Sequence, residues 1–68
     1  MELLIIKSRD HYFRFQGDSY DTCPMNKASV FPMEKVAEVK VFKKNLENDG
    51  IADAAIYRLI IIEEPFEE

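Results

Sequence analysis

NKASVFPMEKVAEVKVFKKNLENDG, Asn26 to Gly50, decides the fold, because it sets the punctuation of a helix around a centre that alternates like a strand. Pro32 stands where a first helical residue needs no N–H. Glu34 follows in the first turn, near the positive end of a helix dipole, and Lys43 and Lys44 lie toward the negative end. Asn48-Asp49-Gly50 is a stop signal. At the angular step of an α-helix, Val36, Val39, Phe42 and Leu46 fall on one stripe, and Met33, Ala37 and Val41 on a neighbouring one. Lys40 and Lys43 sit between or beside them, which requires lysine stems to run along apolar surface with their charges in water. The competing strand sets Ala37, Val39 and Val41 against Glu38 and Lys40, and leaves residues 43–53 as a long connection. Because start and stop agree, an α-helix from Pro32 to Asn48 is the expectation.

Working outward, the chain on either side reads as β-structure. Leu3, Leu4, Ile5 and Ile6 form an apolar run closed by Ser8-Arg9-Asp10, and HYFRFQ follows with strict alternation up to Gly17. This predicts a β-hairpin that turns near Ser8 to Asp10, with Phe13 and Phe15 on its core side. Tyr20 to Cys23 allows a short third strand that Pro24 ends or confines to an edge, and Ala28, Ser29 and Val30 allow a brief extended piece. After the helix, AIYRLIII is rich in branched and aromatic residues and predicts the strongest strand of the chain. The expected fold is therefore α+β: a small antiparallel or mixed sheet of three to four strands backed by one helix. Residues 1–64 make one domain and residues 65–68 an acidic tail.

Both outer strands are apolar on both faces. Ile56, Ile60 and Ile62 point one way, interrupted by Arg58, and Tyr57, Leu59 and Ile61 point the other; Leu3 and Ile5 likewise oppose Leu4 and Ile6. Two-sided burial marks a strand covered on both surfaces, yet one helix covers one face. The uncovered face predicts association, with a two-fold homodimer as the default. Size points the same way, since a chain of 68 residues buries only about 60% of its unfolded surface.

Other supports are excluded by composition. Cys23 is the single cysteine, so no disulfide forms within one chain, and a lone thiol fits a reducing cytoplasm. His11 and Cys23 do not make a metal-ligand cluster, and neither metal nor cofactor is expected. MELLIIKSRD lacks the basic region and small-residue site of a signal peptide, and the apolar run at Leu59–Ile62 is too short to span a bilayer. The net charge of −4 sits in the tail: Glu63, Glu64, Glu67 and Glu68 are four of thirteen acids, and the remaining nine match the nine lysines and arginines. A neutral body lacks the cationic surface on which nucleic-acid affinity depends.

Candidate chemistry is sparse. Asp10 beside His11 has the makings of a proton-transfer pair, but no nucleophile or second acid stands at a fixed spacing. Cys23 has no neighbouring group to lower its pKa. Tyr12 and Arg14, exposed on the second strand, together with Tyr57 and Arg58 on the last, are candidate binding residues for a protein or for stacked single-stranded bases. Phe66, embedded among glutamates, is a candidate docking residue. With no phosphate-binding glycine loop and no paired-acid or Ser/His arrangement, no enzyme is expected.

KASVFP, the following Met33–Glu47 segment and GIADAAIYRLIIIEEP resemble a scattered set of short bacterial and phage open-reading-frame proteins. These share a hairpin, an Ala-x-x-Phe-Pro lead-in to a helix and a closing strand, and most have no assigned function. The resemblance implies the fold and a bacterial or phage origin, and lends no catalytic residue. The expected function is that of a small cytoplasmic, non-enzymatic protein-interaction module, homodimeric through an apolar sheet face. A single-stranded nucleic-acid or regulator-type binder is the alternative.

Overall fold

Residues 36–48 are helical, and the burial of two valines in the computed structural model shows why the helix prevails over the strand. Val39 and Val41, which a strand would place on one face, are 0% and 58% exposed, whereas Val39 and Leu46 share the buried side. The structure describes residues 1–9, 11–17 and 19–67. Its elements are β1 (Glu2–Ser8), β2 (His11–Gln16), β3 (Ser19–Cys23), a 3-10 turn (Met25–Lys27), β4 (Val30–Pro32), a second 3-10 turn (Met33–Lys35), α1 (Val36–Asn48) and β5 (Ala55–Ile60).

The end of α1 forms as its sequence predicts. Gly50, at φ +97°, donates to the Glu47 carbonyl at 3.0 Å, and Ile51 N–H donates to the Leu46 carbonyl at 2.9 Å. These are the two bonds of a Schellman cap, and they fold Ile51 onto the core beside Leu46. The start differs from expectation. Pro32 is extended (φ −67°, ψ 156°) and ends β4, and the 3-10 turn separates it from α1. Pro32 has no N–H to contribute to the ladder, which suits the end of a three-residue strand.

The sheet has five strands, one more than the upper expectation, and every pairing is antiparallel. β1 is central. β5 covers one edge of it from Glu2 to Lys7, and two strands share the other edge: β2 at Lys7–Ser8 and β4 at Leu3–Ile5. Where β2 leaves β1, Ser29 fills the gap, with its N–H donating to the Phe13 carbonyl and its hydroxyl accepting from Phe15 N–H. The additional strand β4 is thus a wedge in a fork. β3 pairs with β2 through a second hairpin whose turn holds Gly17 at φ +59°.

One face of the sheet carries Leu4, Ile6, Phe13, Phe15, Tyr20, Phe31 and Ile56, and α1 packs on it with Val39, Phe42 and Leu46. Phe15 stacks on Phe42 at 4.5 Å between centroids, and Phe13 meets Tyr20 edge-on at 5.8 Å. Such aromatic pairs add about 0.5–1.5 kcal/mol each beyond their burial. The second helix stripe is left outside, since Met33, Ala37 and Val41 are exposed, and so is Val36, which was expected on the core stripe but stands at the first turn of α1.

The opposite face departs from the sequence expectation of a bare apolar surface. Ile5 is 3% exposed, flanked in register by Val30 on β4 and Tyr57 on β5, and Leu3 and Leu59 beside it are half-buried. Large neighbouring side chains leaning over a central strand suffice to seal it. Val30 and Tyr57 stay about half exposed on this face, and the most exposed apolar residues, Met1, Ile62 and Phe66, lie at the far end of β5 and beyond it.

Candidate functional site

Four places bring polar or exposed side chains together. On the open sheet face, alternation from Ile5 brings Lys7 out between two tyrosines. Its ammonium lies 5.5 Å from the Tyr12 ring centroid and 5.9 Å from that of Tyr57. Cation–π attraction of this kind contributes roughly 0.5–1 kcal/mol per exposed pair. Arg14 shares the face two residues along β2, opposite Asp21 on β3. Three of the five sequence candidates, Tyr12, Arg14 and Tyr57, therefore share one surface.

Lys7 is the member that sequence reading missed. Its signal was the period of two from Leu3 and Ile5, but its ring partner Tyr57 is supplied by the β1–β5 register. Arg58 points to the other face, where its Nε lies 3.3 Å from Glu2 Oε1. Phe66 stands in the tail, 88% exposed and away from both.

At the tip of the first hairpin, the buried Ser8 hydroxyl donates to Asp53 Oδ1 at 2.6 Å, and Arg9 Nε lies 3.2 Å from Asp53 Oδ2. The Ser8 bond holds the Asp53 carboxyl below its ordinary value against the opposing effect of lost hydration; the Asp53 backbone N–H and the Arg9 guanidinium reinforce the lowering. Arg9 adopts φ +54°, a left-handed conformation that a two-residue turn demands and that costs about 1–2 kcal/mol outside glycine. The cluster ties the loop before β5 to the hairpin. Ser8 is buried and both oxygens of the Asp53 carboxylate are engaged, one by Ser8 and one by Arg9, so the arrangement is a clamp. His11 is exposed at the start of β2, and its expected partner Asp10 lies outside the described residues.

Between the second hairpin and α1 lies a cleft of about 480 Å³, lined by Phe15, Tyr20, Phe42, Asn45, Asn48 and Asp49 among others. Tyr20 donates its hydroxyl proton to Asp49 Oδ2 at 3.0 Å, and this bond, followed by lost hydration and the carboxylate charge, raises the Tyr20 pKa. Tyr20 and Asp49 at its mouth are thus already paired with each other. Among the described residues, no group of three or more His, Cys, Asp or Glu side chains is placed to hold a metal ion, and no helix is long and apolar enough to cross a membrane. Cys23 is a free, half-buried thiol on the outer strand β3.

The fourth place is the outer edge of β5. Among the described residues, no strand pairs with it. Tyr57 and Ile60 are exposed along it, and beyond Ile60 the chain continues from Ile61 to Glu67 as exposed residues outside any element. The last tie to the sheet is a reciprocal pair: Met1 N donates to the Ile61 carbonyl at 2.9 Å, and Ile61 N–H donates to the Met1 carbonyl at 2.8 Å.

Comparisons with known protein families, with curated proteins and with solved structures each find no match.

Proposed function

We propose that the protein is a non-enzymatic interaction module that works as a homodimer, with β5 and the open sheet face beside it as the contact. The observation that carries this reading is the bare edge of β5. Proteins guard edge strands with prolines, bulges or inward-pointing charges, because an unpaired ladder recruits other chains. From Ile60 to Ile62 this edge has none of these devices, and its side chains are apolar and open to water. A chain that leaves such an edge unguarded has a use for it. The Ser8–Asp53–Arg9 and Tyr20–Asp49 groups are already paired with each other, which supports binding over catalysis.

Sedimentation equilibrium on the intact chain tests the proposal. The expected result is a mass of two chains at micromolar concentration; a single-chain mass up to millimolar concentration rejects it. An apolar edge contact changes little with salt.

A second reading has its own observation. Tyr12 and Tyr57 flank Lys7, with Arg14 on the same face, and aromatic rings beside cations stack single-stranded bases. Affinity for an oligonucleotide that falls steeply with added salt distinguishes it from the first reading.

A further inference from the structure

We propose that the tail is the missing strand of the dimer: residues 56–66 of one chain pair antiparallel with the same residues of a second copy, about a two-fold axis through Ile61. This rests on the homodimer reading above and specifies its register. Because Met1 and Ile61 exchange both backbone hydrogen bonds, the odd-numbered residues of β5 and its continuation turn their N–H and C=O groups toward β1. The even-numbered Ile56, Arg58, Ile60 and Ile62 turn theirs outward, since the groups alternate along a strand.

A two-fold pairing of outward groups then allows a few registers, and side chains choose among them. Centred on Ile61, Arg58 lies directly opposite Glu64 of the second copy, twice by symmetry. Ile60 meets Ile62, and Ile56 meets Phe66, each also twice. Shifting the axis to Ile60 puts Arg58 opposite Ile62 and Ile56 opposite Glu64; shifting it to Ile62 puts Arg58 opposite Phe66 and Ile60 opposite Glu64. Centring on Arg58 opposes like charges, which is destabilising. Only the Ile61 register matches charge with charge and apolar with apolar on the helix side of the sheet.

Two further features fit. Pro65 is odd-numbered, so its missing N–H faces away from the new ladder, the one place where a strand proline costs no bond. Three of the four apolar residues that would meet are exposed: Ile60, Ile62 and Phe66 are 57%, 75% and 88% exposed in the single chain, and Ile56 is half-buried. Glu63 falls opposite Leu59 on the open face, with its carboxylate free to stay in water. The acidic tail is thus a strand with one charge paired and the others solvated.

The test uses the full chain in a Cys23→Ser background. Opposed residues at the axis form a non-hydrogen-bonded pair about 4.5 Å apart at Cα, close enough for a disulfide. Ile61→Cys is expected to give a covalent dimer under mild oxidation, and Leu59→Cys is not. Glu64→Arg is expected to weaken dimerisation about ten-fold, by turning two attractive pairs into two repulsive ones, and Arg58→Glu added to it to restore most of the loss. Because Arg58→Glu also faces Glu2, the cross-linking comparison stands alone if the double variant fails to fold. A dimer that cross-links through Leu59→Cys, or ignores Glu64→Arg, overturns this register while leaving the homodimer intact. A native chain that never dimerises overturns both.

Discussion

Asp53 shows how one exposed carboxylate stabilises a structure through the group it satisfies. Ser8 is a buried polar side chain, and its hydroxyl would lack a partner without Asp53 Oδ1; an unsatisfied buried hydroxyl costs about 1–3 kcal/mol. The same bond lowers the Asp53 pKa. A depressed folded-state pKa means stability that is present above the unfolded value, about 4, and lost as pH falls through the folded value. Urea midpoints are therefore expected to fall on acidification below about pH 4, and to fall less in Asp53→Asn, which starts from a lower midpoint at neutral pH. Midpoint curves that run parallel for the two proteins from neutral to acid pH would remove Asp53 from the account. Serine near the end of an apolar run reads in sequence as a turn residue, and its partner 45 positions away has no local signal. The same limit hid Lys7 between its two tyrosines and the Arg58–Glu2 pair.

At the scale of the element, α1 was legible because its signals are local. The i, i+3 and i+7 spacing of Val39, Phe42 and Leu46 and the Asn-Asp-Gly stop both lie within the segment they specify. Which of two apolar stripes is buried was not legible, since periodicity alone does not distinguish Val39 from Val41. β4 was legible only as a brief extended piece ending at Val30, because three residues carry no period, and it exists only where β2 diverges from β1; Pro32 served equally well as a strand end and as a helix start. The cap offers a clean measurement. A Cβ added at Gly50 would meet no atom within 4 Å, so the cost of a side chain is one of backbone conformation alone. Gly50→Ala is expected to destabilise by about 1–2 kcal/mol in chemical denaturation, with the α-helical circular dichroism retained. No change would mean that α1 ends without a left-handed residue.

For the whole molecule, the sequence reading placed the apolar excess on the open sheet face, and the structure moves it to one edge. The count of greasy residues was sound, but Ile5 is buried between its register partners Val30 and Tyr57, which a strand-by-strand count does not register. Among the apolar residues most open to water, Ile60, Ile62 and Phe66 lie in line with the bare side of β5. If two such edges pair, folding and association are linked, and melting becomes a function of concentration. Each ten-fold rise in concentration adds about 1.4 kcal/mol to a dimer that unfolds to two chains. Spread over the unfolding entropy of two 68-residue chains, this shifts the melting temperature by roughly 5 °C. The intact chain is expected to show that shift across a ten-fold dilution series, and a chain ending at Glu63 to lose most of it, because Glu64 and Phe66 are gone while β5 and its bonds to Met1 are kept. Equal shifts in the two proteins would assign the contact to the sheet face without the tail, and no shift in either would leave the molecule a monomer that tolerates an open edge.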